Sequence, residues 1–120
     1  MKVYHRTKNK KAAISILENG FKSLKGFYGV GVYTCIDIES VTSSYSRRHY
    51  GNTIIECDIN LNEHISFEDS ISALAYYKAN GKNSVTMEYN NKNDGNVLFV
   101  AKEEVTPLRY SVDDGKTWRY

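Results

Sequence analysis

Apolar and polar positions change period early in the chain. Lys2 to His5 alternates as a short strand does, and from Asn9 onward Ala12, Ala13, Ile16 and Leu17 recur at the three- and four-residue spacings of a helix. Asn9 is placed to cap that helix, which is expected to run to Asn19 and stop at Gly20. Phe21 to Leu24 predicts a second short extended piece. Gly26, Gly29 and Gly31 then punctuate a loop, and Val32 to Cys35 predicts a buried strand. From Asp37 the pattern turns helical again: Ile38, Val41 and Tyr45 share one face, Glu39, Arg47 and Arg48 are left to solvent, and the stretch ends near Gly51.

Thr53 to Leu61 alternates, carries Ile54, Ile55, Cys57 and Ile59, and predicts a strand. A third helix is expected over Phe67 to Ala79, stopping at Asn80 and Gly81. The remainder predicts strands over Ser84 to Tyr89 and Val97 to Val105. Leu108 to Val112 should pair with Thr117 to Tyr120 across a turn at Asp114 and Gly115. Asn90 to Gly95 is expected to be a loop. Helices early and in the middle, with β pairing dominant in the C-terminal half, indicate an α+β fold rather than alternating βαβ units.

The chain has 120 residues, a length that predicts one domain, 1–120, with one modest core. No apolar run is long enough for a membrane span, and the first residues pass into a strand without a signal-peptide pattern, so a cytoplasmic location is expected. Cys35 and Cys57 both lie in apolar, strand-forming segments, where a thiol behaves as a small hydrophobe; no disulfide is expected. A net charge of +2 is too small to argue for a nucleic-acid partner. The unusual feature is 10 tyrosines, which suit strands but also stack on flat ligands.

Two sets of residues are candidates for chemistry. One is the strand end Tyr4, His5, Arg6 and Thr7, where a histidine emerges just before a helix. The other is Tyr28, Gly29, Val30, Gly31, Val32 and Tyr33, followed by the hydroxyl-rich Thr42, Ser43, Ser44 and Tyr45. The glycine pair alone fits any tight turn. It is no phosphate-binding Walker loop, because Gly-Lys-Ser/Thr is missing, and no Rossmann fingerprint, because a strand follows instead of a helix.

Taken in order, these motifs resemble the ADP-ribosyltransferase superfamily of the poly(ADP-ribose) polymerase and diphtheria-toxin type, with its His-Gly-Ser/Thr, Gly-x-Gly-Ile-Tyr-Phe and Ser-x-x-Tyr elements. The resemblance continues through Gly51 to Leu61, through Gly81, Lys82, Asn83, Ser84 and Val85, and through Asn96 to Val105, Leu108, Arg109 and Tyr110. It implies a compact fold of two small, mostly antiparallel sheets forming an NAD-binding cleft, with about three helices. It further implies that His5 bonds the adenosine ribose of NAD+ and that the backbone after it, at Arg6, meets the nicotinamide carboxamide, with Thr7 beside that contact. Tyr33 and Tyr45 would sandwich the nicotinamide ring, and Thr42 or Ser43 would add a hydroxyl. The co-substrate implied is NAD+, with no metal.

Two departures limit the resemblance. The position of the family's catalytic glutamate falls on Asn96, whose amide carries no charge and cannot serve as a base; Glu88, Asp94, Glu103 and Glu104 are the alternative carboxylates. Arg6 stands where the family has glycine, and its side chain is placed to approach a phosphate. The activity expected is therefore transfer of a single ADP-ribose unit to a macromolecular acceptor, a protein foremost, with nucleic acid left open. For a compact stand-alone member the resemblance implies a toxin, effector or phage protein acting in its own or a host cytosol. Catalysis would rest on His5, Tyr33 and Asn96. The alternatives are a catalytically impaired NAD+ or ADP-ribose binding module and an interaction domain whose tyrosines fill a β core. Arg47 and Arg48 are expected on a solvated helix face, and His49 and His64 have no metal-ligand spacing with either cysteine.

Overall fold

Alternation with a buried row on each side requires a sheet covered on both faces, and the chain builds one. A computed structural model describes residues 1–21, 24–26, 29–41, 51–60, 64–80, 86–91, 95–100 and 105–120. Strand β1 (Lys2–Thr7) leads into helix α1 (Lys10–Asn19); β2 (Leu24–Gly26) and β3 (Gly29–Cys35) follow, then α2 (Ile38–Val41), and the rest of the expected second helix lies outside the described residues. Strands β4 (Thr53–Ile59) and β5 (His64–Phe67) precede helix α3 (Ser70–Asn80), and β6 (Thr86–Asn91), β7 (Gly95–Val100) and β8 (Val105–Ser111) complete the order.

Seven strands form one path, β5-β6-β7-β3-β1-β4-β8, and β2 pairs with β3 off that path. All neighbours are antiparallel except β5 and β6, which run parallel. The architecture is thus α+β with a mixed sheet, where two separate small sheets were expected. Strand β1 joins the halves: it pairs with β4 along its whole length and meets β3 at Tyr4↔Cys35, so one sheet continues through it.

The period of two sorts this sheet into two cores. Val3, Ile55, Cys57, Ile59, Leu98, Val105 and Tyr110 form one, with Ala13, Ile16 and Leu17 of α1 and Phe21 packed on them. Cys35, Ile54, Met87, Tyr89 and Val97 form the other with Ala73 of α3, and Tyr4, Tyr33, Ile38, Phe67, Tyr76, Tyr77 and Trp118 pack around it. Cys35 and Cys57 are both buried and belong to opposite cores, with the sheet between them.

Helix α1 forms where its period and caps put it. Asn9 Oδ1 accepts from the Ala12 amide at 2.9 Å, and the Gly20 amide donates to the Ile16 carbonyl at 2.7 Å. Helix α3 begins later than the expected Phe67, because Phe67 belongs to β5 and Asp69 caps the helix, accepting from the Ser72 amide at 2.8 Å. Strand β5 has only four residues, too few for its alternation to stand out from a helix start. The expected loop over 90–95 is shorter, since β6 extends to Asn91 and β7 starts at Gly95. In β8 a bulge opposite Glu56 and Cys57 skips Leu108, which is left exposed beside Pro107.

The C-terminal turn forms at Asp114 and Gly115, both with positive φ (58° and 86°). Pairing beyond it is reduced to a single bridge, Tyr110↔Arg119, instead of the expected hairpin. The turn closes on itself: Ser111 Oγ donates to Asp113 Oδ1 at 2.7 Å and accepts from the Gly115 amide at 2.8 Å. The Thr117 amide donates to Asp113 Oδ1 at 2.8 Å.

Candidate functional site at the junction of β1 and β3

His5 lies one residue past the point where β1 meets β3. Its Nδ1 is 2.7 Å from the Tyr33 carbonyl oxygen, and its ring stands edge-on to Phe21 at 5.1 Å between centroids. A carbonyl only accepts, so Nδ1 carries the proton in this contact. Burial holds the imidazole pKa below the ordinary histidine value, against the opposing pull of the Tyr33 carbonyl. The ring is therefore neutral at pH 7 with Nε2 as a lone-pair acceptor, the form that receives a hydroxyl proton and supplies none.

The Tyr33 ring goes elsewhere. Val32 and Thr34 belong with the α1 face: Val32 packs on that core, and Thr34 Oγ1 donates to the Leu98 carbonyl at 2.9 Å. Tyr33, between them, packs with Tyr4 and Cys35 against the α3 core. His5 and Tyr33 are thus joined through the Tyr33 carbonyl while their rings lie on opposite faces of the sheet. The two rings do not line one cleft, as a sandwich with His5 beside it had implied; strand alternation forbids it for residues whose strands pair in this register. Tyr45, Thr42 and Ser43 lie outside the described residues, as do Arg47, Arg48 and His49.

Arg6 also departs from expectation. Its guanidinium does not point to solvent to meet a phosphate; the side chain is 2% exposed. Nη1 donates to the Gly51 carbonyl at 2.9 Å, and Nη2 to Asp114 Oδ1 at 3.1 Å. The ends of β1 and β4 are packed tightly there. Gly51 has φ 112°, and a Cβ on it would fall 2.4 Å from both Lys8 Cα and the Thr7 carbonyl oxygen. Thr7 pairs with Thr53 at the last register position of β1 and β4.

Asn96 lies in β7 opposite Asn90, next to Val97, which pairs with Cys35. That register places it on the Val3 side of the Tyr4 row, and His5 lies on the other side. The two backbones are offset by about two strands and two residues, roughly 12 Å. Glu88 pairs with Leu98, itself the partner of Thr34, about three strands from His5. Its Oε2 already receives Ser66 Oγ at 2.9 Å and lies 3.0 Å from His64 Nε2. Asp94, Glu103 and Glu104 lie outside the described residues.

One constellation gave no sequence signal. Glu56 is 4% exposed, yet carries a carboxylate. Arg109 grips it through Nε and Nη2, both at 3.0 Å, Lys2 Nζ adds a contact at 3.3 Å, and the guanidinium lies 4.5 Å from the Trp118 ring centroid. Burial alone would raise the Glu56 pKa; the Arg109 fork and Lys2 more than offset it and hold the carboxyl below its ordinary value. The pair needs the cross-strand register Glu56↔Arg109, which pattern alone does not supply.

No family model matches the chain, and neither the curated proteins nor the solved structures contain a match to it. Among the described residues, no helix is long and apolar enough to cross a membrane.

Proposed function

We propose that the chain is an NAD+-binding domain of ADP-ribosyltransferase type, with NAD+ seated at the junction of β1 and β3 and a single ADP-ribose transferred to a macromolecular acceptor. The observation that carries this reading is the contact of His5 Nδ1 with the Tyr33 carbonyl. It couples the two motif positions on which the family resemblance rests and leaves Nε2 as an acceptor for a ribose hydroxyl. The backbone of Arg6, near the end of β1, would meet the carboxamide, with Thr7 beside it. The Tyr33 ring, on the far face, would bear on the nicotinamide only if the ligand reaches around the strand edge. Cleavage of the glycosidic bond would then rest on positioning and on electrostatic support of the ribose cation.

A second reading, binding of NAD+ or ADP-ribose without turnover, is favoured by the neutral Asn96 and its offset from His5. Incubation with NAD+ labelled in the adenine, together with a cell extract, separates the two. The transferase reading expects label on macromolecules and free nicotinamide, both lost in His5→Ala, with circular dichroism confirming the fold. It also expects Asn96→Glu to raise nicotinamide release. Saturable NAD+ binding with no release establishes the second reading. No binding by calorimetry sinks both.

A further inference from the structure

Arg6 is a buried cation on the strand that carries His5, and Gly51 and Asp114, two of the groups it bonds, come from distant parts of the chain. Nη1 holds the carbonyl of Gly51, and Nη2 holds Asp114 in the C-terminal turn. Asp114 does not reach Arg6 by chance of a loose tail. It sits at φ 58° in a turn braced by Ser111 and Asp113, beside Gly115, where a Cβ would fall 2.5 Å from Ile38 Cδ1. Trp118 docks the end of the same turn on Tyr4, one strand position below His5 on the opposite face, with centroids 6.4 Å apart. The turn is therefore a preformed block that presents the Asp114 carboxylate to the Arg6 guanidinium.

We propose that Arg6 and Asp114 form a positioning clamp: the C-terminal turn, through Asp114, fixes the Arg6 side chain on one face so that the backbone of residues 5–8 and 51 is held rigid at the NAD+ site. The proposal rests on the reading above for its ligand, but not for its geometry. It gives Arg6, the residue that departs from the family's glycine, a role other than a phosphate contact. Close packing at Gly51 explains why such a clamp matters: with the Asn52 amide 3.4 Å from the Lys8 carbonyl and no room for a Cβ at Gly51, a small shift of one segment displaces the other. A displacement of about 1 Å in a positioning element costs up to about a hundredfold in a site's performance.

The test uses the full chain and three variants, Asp114→Ala, Asp114→Asn and Arg6→Lys, with two measurements made well below each variant's unfolding temperature. Hydrogen exchange followed by mass spectrometry reads the clamp directly. Asp114→Ala and Arg6→Lys should speed exchange at residues 6–8 and 51–53 while the centres of β4 and β8 stay protected. Asp114→Asn keeps an oxygen acceptor in place and should remain close to the parent. Calorimetry with NAD+ reads the site: Asp114→Ala and Arg6→Lys should weaken binding by about tenfold or more, and Asp114→Asn by much less. Unchanged exchange in Asp114→Ala overturns the clamp whether or not NAD+ binds. Faster exchange with unchanged NAD+ affinity leaves a purely structural ion pair and overturns the positioning role. If the parent does not bind NAD+, the functional reading falls with the ligand half of this proposal, and the exchange result alone decides the clamp.

Discussion

His5 shows how a side chain acquires its chemistry from two neighbours. Alone, an imidazole titrates near 6.5, but here burial disfavours the cation and the Tyr33 carbonyl fixes the proton on Nδ1. With the folded pKa lowered, the unfolded chain binds the proton first. The His5 contribution to stability is complete above about pH 6.5 and falls as pH drops from there toward the folded value. Chemical denaturation at pH 7.5 and 5.5 should show the parent losing stability across this window, and His5→Gln should flatten that loss. Equal slopes for the two proteins would mean that His5 charges freely in the folded state. The histidine at a strand end before a helix was visible in the sequence; its tautomer was not, because the acceptor lies 28 residues away.

The C-terminal turn is organised around the Asp113 carboxylate. Asp113 accepts from the Ser111 hydroxyl and the Thr117 amide, and these bonds lower its pKa to about 2. The sign follows: a carboxyl whose folded pKa is depressed supports the fold above its unfolded value of about 4, and this support is lost as pH falls toward 2. Trp118 is the only tryptophan in the chain and packs on Tyr4 at the end of this turn, so its fluorescence reports the turn directly. Acid titration should move the Trp118 emission between pH 4 and 2. Asp113→Asn should place it near the acid position already at pH 7, and an unmoved spectrum in that variant would contradict the assignment. The turn residues were legible, since Asp and Gly at 114 and 115 suit positive φ. The bonds among Ser111, Asp113 and Thr117 depend on the turn's three-dimensional path, which spacing alone does not supply.

For the molecule as a whole, the sheet separates two cores that share every strand of its centre. Ile54 and Ile55 are adjacent in β4, both fully buried, one in each core. Truncation of either to alanine should cost about 2–5 kcal/mol. Because both cores rest on the same strands, each variant should still unfold in a single transition when followed by Trp118 fluorescence and by far-ultraviolet circular dichroism. Two separated transitions in Ile54→Ala alone would show that the α3 layer folds apart from the α1 layer. The tyrosines divide by the same rule: Tyr4, Tyr33, Tyr76, Tyr77 and Tyr89 pack in the α3 core, Tyr110 lies under α1, and Tyr120 is exposed. Most of the aromatic surplus among the described residues is therefore core material.

What the sequence determined by itself was local. Helix α1 with its Asn9 and Gly20 caps, the alternation of β4 and the turn at Asp114 and Gly115 all follow from spacing and backbone preference within a few residues. Tertiary structure alone decided which strands pair, and pairing register sets the face of every side chain. It joined the strands into one mixed sheet, turned the Tyr33 ring away from that of His5, and buried Arg6 against Gly51 and Asp114. A period of two says that neighbours point in opposite directions, but only the partner strand decides which direction meets the core and which meets a ligand.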